Sequence, residues 1–115
     1  MVKKASELNV VVNEKMRGGE GTVAMEHLVD AAHMYDKNRL FGRIIIKPGC
    51  SIGYHVHENE MEAYYIISGK GLYDDNGTQT EVFPGDVTIT LHGEGHGIVN
   101  NGDEDLIFIA LVPLK

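Results

Sequence analysis

Short runs of apolar residues, many alternating with polar ones, follow one another along the chain and are separated by glycine, proline and asparagine. Alternation with a period of two is typical of β-strands that bury one face, and the β-branched and aromatic residues in these runs favour the same structure. No apolar stripe with the helical period of 3.6 residues persists for several turns. The pattern predicts strands at Asn9–Val12, Gly21–Val29, Arg39–Lys47, Gly53–His57, Glu62–Ser68, Gly71–Asp74, Thr78–Phe83, Asp86–Leu91, Gly97–Val99 and Asp105–Val112.

Turn residues indicate how these strands are connected. Asp74–Gly77 predicts a tight hairpin, because asparagine and glycine accept the positive φ that such turns need. Pro48-Gly49, Pro84-Gly85 and Asn101-Gly102 predict further turns, and the region around Asp30–Met34 can hold at most a short helical turn. Closely spaced strands without intervening helices predict an all-β protein, built as an antiparallel sandwich or barrel.

Length and composition describe one ordinary globular domain. The chain has 115 residues, of which 43% are hydrophobic and 23% are charged. This length is near the common size of a domain that buries its own core, so we expect residues 1–115 to form a single domain. The net charge of −7 argues against a nucleic acid partner, since a phosphate backbone requires a basic surface.

Cysteine usage and hydrophobic segments bear on the cellular compartment. The single cysteine, Cys50, cannot form an internal disulfide, so nothing indicates an oxidising environment. Its favoured interpretation is a small apolar side chain at the start of a strand, over a reactive thiol. The apolar run Val10–Val12 is too short for an export signal, and no segment is long enough to span a membrane. We therefore expect a cytoplasmic protein without a membrane partner.

Four polar side chains have the spacing of a metal-binding set carried on paired strands. Successive side chains of a strand point to opposite faces, so His55 and His57 project the same way. The polar link Glu58–Met61 lets the chain reverse and bring Glu62 beside them, and His96 stands in a second glycine-bounded stretch. A histidine pair alone could equally be a solvated edge or a satisfied core pair, but the added Glu62 and His96 favour the metal interpretation.

The two stretches that carry these residues resemble the two sequence motifs of the cupin superfamily. The motifs, G-x5-H-x-H-x3-4-E-x6-G and G-x5-P-x-G-x2-H-x3-N, are matched at every fixed position except one, where Leu91 replaces a proline that shapes a turn. The resemblance implies a small antiparallel β-barrel or jelly roll in which His55, His57, Glu62 and His96 hold a divalent metal. The matched positions are Gly49, His55, His57, Glu62 and Gly69 in the first motif, and Gly85, Gly93, His96 and Asn100 in the second.

The chemistry of the four side chains limits which metals they can bind and which functions the protein can have. Three imidazoles and one carboxylate suit the divalent transition metals Mn, Fe, Co, Ni, Cu and Zn, and suit Ca or Mg poorly. Four protein ligands leave open positions on an ion that prefers six, and open positions allow chemistry on a substrate. The resemblance implies a metalloenzyme (an isomerase, dioxygenase, decarboxylase or lyase) acting on a small organic acid, sugar derivative or amino-acid-like metabolite. The alternative is a non-catalytic module that binds or senses such a metabolite.

Residues near these four are candidates for contact with the ligand. Tyr64 shares the inward phase of Glu62 and is the candidate catalytic residue, although a buried ring with its hydroxyl bonded elsewhere is the alternative. Glu60 is a candidate acid–base group and could replace Glu62 as a ligand. Arg43 could hold an anionic substrate, but a surface salt bridge is the favoured interpretation.

Two surfaces predict a partner chain. Residues 1–20 form an N-terminal segment ahead of the barrel, and an exposed first strand is an edge that must be covered. In small proteins that the chain resembles, this edge commonly pairs with a second copy, so we expect a homodimer. Tyr65 and Ile67 alternate with the inward residues of their strand and are expected to lie under another sheet or a partner chain.

Overall fold

The computed structural model describes every residue from Met1 to Lys115 and contains ten β-strands. Each run predicted from the apolar pattern is a strand, and only the ends of the runs differ. These strands form nearly all of the regular secondary structure, because the remaining elements are short 3₁₀ turns. The strands are β1 (Asn9–Glu14), β2 (Thr22–His27), β3 (Asn38–Ile46), β4 (Ser51–Val56), β5 (Glu62–Ser68), β6 (Gly71–Asp75), β7 (Thr78–Val82), β8 (Val87–Thr90), β9 (Gly95–Val99) and β10 (Leu106–Pro113).

The strands form two sheets, and every strand pair is antiparallel. The larger sheet has six strands in the order β1-β2-β3-β10-β5-β8, and the smaller has four in the order β4-β9-β6-β7. Neighbours in the sheets are often distant in sequence, as expected of a jelly roll. The predicted all-β antiparallel architecture is confirmed. No helix in the structure has both the length and the apolar character to cross a membrane.

One cluster of buried side chains, contributed by both sheets, forms the core. Residues of β3 and β10 alternate between this core and the outer face of the larger sheet, which is the period-two pattern read from the sequence. Complete burial of an aliphatic or aromatic side chain stabilises the fold by roughly 1.5–3 kcal/mol. The fully buried members at the centre of the cluster are Ile44, Ile46, Ile66, Ile98, Leu106, Phe108 and Val112.

The predicted turns are also confirmed. Asn76 has φ 52° and Gly77 has φ 99°, and these two residues connect β6 to β7 in the tight hairpin expected there. The short helical turn is a 3₁₀ turn at Ala31–Met34. Leu91, which stands where the motif has proline, uses an amide that proline lacks. Its N–H donates to the Glu94 Oε1 at 2.9 Å, so the turn is closed without the proline.

The N-terminal segment lies in the same sheet system as the rest of the chain. β1 pairs with β2 along its whole length, from Asn9↔His27 to Glu14↔Thr22. A turn follows at Met16–Gly18 and lies against β4. The other edge of β1 has no partner strand within the chain, so its pairing with a second chain stays a prediction.

Candidate metal centre

Strand pairing brings the four candidate ligands together at one end of the barrel. β4 pairs with β9 so that His55 lies directly opposite His96, and Glu62 is the first residue of β5. His57 extends the pairing, because its N–H donates to the carbonyl of Glu94 at 3.0 Å. One donor atom from each of the four residues lies within 4.8 Å of the others. We call His55, His57, Glu62 and His96 the donor cluster.

Distances within the donor cluster fit a shared metal ion. The His57 Nε2, the His96 Nε2 and the Glu62 Oε1 are each 3.0 Å from the other two. Two donors that are each about 2.1 Å from one ion and at right angles to each other are separated by about 3.0 Å. Two nitrogens and a carboxylate oxygen packed this closely form a group that could hold a metal ion.

Burial makes the cluster costly without a cation. His57, Glu62 and His96 are 3%, 6% and 0% exposed, and His55 is half-buried. Polar atoms removed from water destabilise a fold unless they gain a partner, and an ionised carboxylate does so most strongly. The donor set therefore suits a bound divalent cation, and His55 is its most exposed member.

The ring orientation of His55 and His57 is fixed by groups that can only accept a hydrogen bond. The His55 Nδ1 donates to the carbonyl of Gly53 at 2.8 Å, and the His57 Nδ1 donates to the Glu60 Oε2 at 2.6 Å. When either ring is neutral, its bond places the proton on Nδ1, so the Nε2 carries a lone pair that can bind a cation. Such outer partners orient the ligands of metal sites and tune their affinity.

His96 is oriented from the opposite side by two buried hydroxyls, Tyr73 on β6 of the smaller sheet and Thr90 on β8 of the larger sheet. Its Nδ1 lies 2.7 Å from the Tyr73 hydroxyl and 3.0 Å from the Thr90 Oγ1, and these two hydroxyls are 2.8 Å apart. The His96 Nε2 therefore points into the cluster. Tyr73 and Thr90 were not singled out in the sequence, because no motif ties them to His96.

Glu60 is a hydrogen-bond partner of His57 and lies outside the donor cluster, which argues against the alternative that it replaces Glu62. Its carboxylate accepts two hydrogen bonds from Arg39, at 2.7 and 2.8 Å, as well as the bond from His57. These contacts, the bonds from Arg39 above all, lower the pKa of Glu60. The carboxylate is thus ionised and held in place, which also removes it as a free acid–base group.

Protonation states in the cluster favour cation binding. Burial alone would raise the pKa of Glu62, but hydrogen bonds from His57 and His96 outweigh it and lower the pKa to about 2. Burial lowers the pKa of His55 to about 4, so this imidazole is neutral at neutral pH. The hydrogen bond with Glu62 raises the pKa of His57, so a proton competes with a metal ion for this imidazole more strongly than for a free one.

Beside the donor cluster is a small cavity of about 40 Å³. Its wall includes Tyr64 and Arg39 from the larger sheet, together with Met16 and Arg17 from the N-terminal turn. The sequence assigned the first twenty residues to pairing with a partner and gave no sign that they reach the site. A turn so far from both motifs in sequence could be placed here only by the packing of β1 and β4.

Two other candidates are resolved by which face of the sheet they occupy. Tyr64 is 3% exposed and faces the cavity, with its ring 5.0 Å from that of His96. Burial, with a further contribution from Glu62, raises the pKa of Tyr64 well above its ordinary value, so its hydroxyl stays protonated. Arg43 lies on the outer face and pairs with Glu26 at 2.8 Å, so the surface salt bridge is confirmed and its binding of a substrate in the site is wrong.

Cys50 lies at the edge of the core, next to β4. It is half-buried and packs against the buried cluster, with its Sγ close to Gly21. This placement agrees with its interpretation as a small apolar side chain at the start of a strand.

Comparisons with known proteins identify a family and a fold that agree with the structure described above. The family model described as the cupin domain matches residues 42–112. The oxalate-binding protein of Thermotoga maritima is 45% identical over 114 residues, which cover 99% of this chain and 94% of that protein. The crystal structure of a predicted oxalate decarboxylase from Thermotoga maritima has a TM-score of 0.96 and 44% identity, with 100% of both chains covered. The polyketide cyclase RemF from Streptomyces resistomycificus shares the fold, with a TM-score of 0.77 and 20% identity over 100% of this chain and 81% of that one.

Proposed function

The chain belongs to the cupin family, and from this we propose that it binds a divalent transition metal and, through that metal, a small carboxylic acid such as oxalate. The observation that carries the proposal is the mutual 3.0 Å spacing of the His57, His96 and Glu62 donor atoms. His55, the fourth proposed ligand, completes the set from the neighbouring position on β4. Mn, Fe, Co, Ni, Cu and Zn all suit this donor set.

Cavity size and charge support a small anion as the organic ligand. A space of about 40 Å³ is far below the roughly 300–1,000 Å³ of sites for drug-sized molecules. Arg17 contributes positive charge to its wall, whereas the charge of Arg39 is neutralised by Glu60. The Thermotoga maritima relative of similar length is an oxalate-binding protein, and oxalate has the size and charge that this cavity favours. A bound metal supplies Lewis acidity, which strengthens the binding of carboxylate oxygens.

Binding without turnover is the function that the geometry supports best, and decarboxylation is the second candidate. Among the groups that line the cavity, the carboxylate of Glu62 belongs to the donor cluster, and Glu60 behind it is held by Arg39 and His57. Tyr64 is the observation that favours catalysis, because its protonated hydroxyl faces the cavity and could donate a proton or a hydrogen bond. The Thermotoga maritima structure described as a predicted oxalate decarboxylase makes this reaction the one to test.

Metal analysis of two histidine variants tests the proposal. His57→Ala should lower the ratio of metal to protein sharply, whereas His33→Ala, with its exposed side chain outside the cluster, should leave the ratio unchanged. An equal metal content in both variants and the parent protein would disprove the ligand assignment. Calorimetry with oxalate, and measurement of formate and CO₂ release by the same metal-loaded protein, then separates a binding protein from a decarboxylase.

We further propose that the protein is a homodimer that buries the outer face of the larger sheet. Tyr65, Ile67, Val87 and Ile89 are 49%, 46%, 59% and 58% exposed on this face, and Tyr65 pairs directly with Val87. β1 adds Val12 at the opposite edge of the same sheet, 62% exposed. Exposed apolar side chains that are contiguous in this way mark protein interfaces.

Sedimentation of two variants locates the dimer contact. Ile89→Lys should produce monomers if the contact is made by β5 and β8, and Val12→Lys should do so if the edge of β1 is paired instead. A parent protein that sediments as a monomer would disprove the dimer. The cytoplasmic location and the lack of nucleic acid and membrane partners stay predictions.

A further inference from the structure

The N-terminal turn Met16–Gly19, which we call the Arg17 turn, places an unpaired cation at the cavity. The other arginines are neutralised, because Arg39 pairs with Glu60 and Arg43 pairs with Glu26. Arg17 lines the cavity and forms no salt bridge with any carboxylate of the chain. The Arg17 side chain is exposed and lies at the wall of the cavity beside the buried donor cluster, where a positive charge without a carboxylate partner suits an anionic ligand.

The backbone of the Arg17 turn is left-handed at Arg17, with φ 55° and ψ 31°. Other turns of the chain have the same conformation, for example at Tyr35 and Asp36. At Arg17 this conformation sets the direction in which the side chain leaves the backbone, on the segment that forms part of the cavity wall.

Contacts with β4 hold the Arg17 turn in place. The Glu20 N–H donates to the Ser51 Oγ at 2.8 Å, and the Ser51 N–H donates to the Glu20 carbonyl at 2.9 Å. Gly19 and Gly53 let the two backbones approach, because a methyl group at Gly53 would overlap the carbonyl of Arg17. The turn is therefore a fixed support for the guanidinium, which reduces the entropy lost when a ligand is bound.

We propose that Arg17 is the residue that selects a dicarboxylate, by binding the carboxylate group of an acid held at the donor cluster. This inference rests on the proposed function. When the imidazoles are neutral, a divalent ion with Glu62 leaves one positive charge, and the Arg39–Glu60 pair adds none. Arg17 supplies the second positive charge, so a dianion is neutralised fully and a monoanion leaves a charge uncompensated. Arg17, His55 and Tyr64 line the same cavity, which places the guanidinium on the side of the donor cluster that a ligand would occupy.

The test compares oxalate with glycolate, a two-carbon acid that can also chelate a metal but carries one negative charge. Calorimetry on the metal-loaded protein should show a preference for oxalate. Arg17→Gly should weaken oxalate binding by about 10- to 100-fold, the size of a lost charge-assisted hydrogen bond, and should change glycolate binding much less. The fold should tolerate this variant because glycine favours the backbone angles found at this position.

Lys15→Gly is the matched control. Lys15 also has a positive φ, 48°, and its replacement removes the same charge from the chain, but the side chain does not line the cavity. It should retain the affinity of the parent protein for oxalate. Arg17→Lys, which keeps the charge but loses the planar fork, should give an intermediate affinity.

The outcomes separate this inference from the proposed function. Equal oxalate affinity in Arg17→Gly and Lys15→Gly would overturn the role of Arg17 while the proposed function stood. A lower metal content in Arg17→Gly would also overturn it, because the residue would then act on the metal site. If the metal-loaded parent protein bound neither oxalate nor glycolate, the proposed function itself would fail.

Discussion

Replacement of Glu60 by glutamine tests whether the orientation of His57 controls metal binding. The two carboxylate oxygens of Glu60 accept from three donors, the Nε and Nη2 of Arg39 and the Nδ1 of His57, at 2.7, 2.8 and 2.6 Å. Glutamine keeps the size of the side chain but has one acceptor oxygen, so at least one of these donors would face an NH₂ group. The variant also leaves Arg39 without its counter-charge beside the proposed cation site.

The expected loss follows from the role of such outer partners in metal sites. Removing one typically lowers metal affinity by about 10- to 100-fold, which corresponds to about 1.4–2.7 kcal/mol. The dissociation constant for Mn²⁺ is to be measured by titration calorimetry at neutral pH, with thermal denaturation to establish that the variant is folded.

Glu58→Gln is the control, because Glu58 lies in the same link, loses the same charge and has a side chain that is 68% exposed. We expect Glu58→Gln to bind Mn²⁺ as the parent protein does. Equal affinities of the Glu60→Gln and Glu58→Gln variants would refute the reasoning. The comparison does not depend on which divalent metal is used, since both variants keep all four members of the donor cluster.

Three further perturbations have defined outcomes. Metal retention after dialysis should fall as the pH drops through about 6.5, because protons compete for the imidazoles. The raised pKa of His57, due first to Glu62, makes the loss begin above that pH, and a flat curve would count against histidine ligation. Gly53→Ala should lower stability in urea denaturation by about 1–3 kcal/mol, because the methyl group overlaps the Arg17 carbonyl, and an unchanged midpoint would contradict that close packing. Tyr73→Phe should cost about 0.5–1.5 kcal/mol by removing a buried hydrogen bond, while Thr90 and His96 stay bonded to each other, and thermal melts of the metal-free protein measure this.

The local pattern of the sequence determined the strands, the β6–β7 hairpin and the convergence of four side chains. The period-two alternation identified strands such as β3 and β10, each of which buries one face whatever its neighbours are. Asn76 and Gly77 specified their hairpin through backbone conformation alone. The motif residues predicted which four side chains converge, because the spacing of His55 and His57 on one strand and the chain reversal before Glu62 are short-range features.

Strand ends at glycine-rich positions were harder to predict. β9 begins at Gly95 and not at Gly97, so His96 lies inside a strand and opposite His55. Glycine is a weak strand former, and its presence at Gly95 reflects close packing against Tyr54, where a larger side chain would overlap the ring. That packing comes from another strand, and the local sequence contains no sign of it.

Only the tertiary structure decided what surrounds the four ligands. Arg39 bonds to Glu60, Tyr73 bonds to His96, and Arg17 lines the cavity. In each case the groups come from segments that are far apart in the sequence and that the order of strands in the sheets brings together. A side chain's face follows from its position in its own strand, and the sequence contains that information. Its partner follows from which strands lie side by side, and this is settled by the packing of the whole barrel.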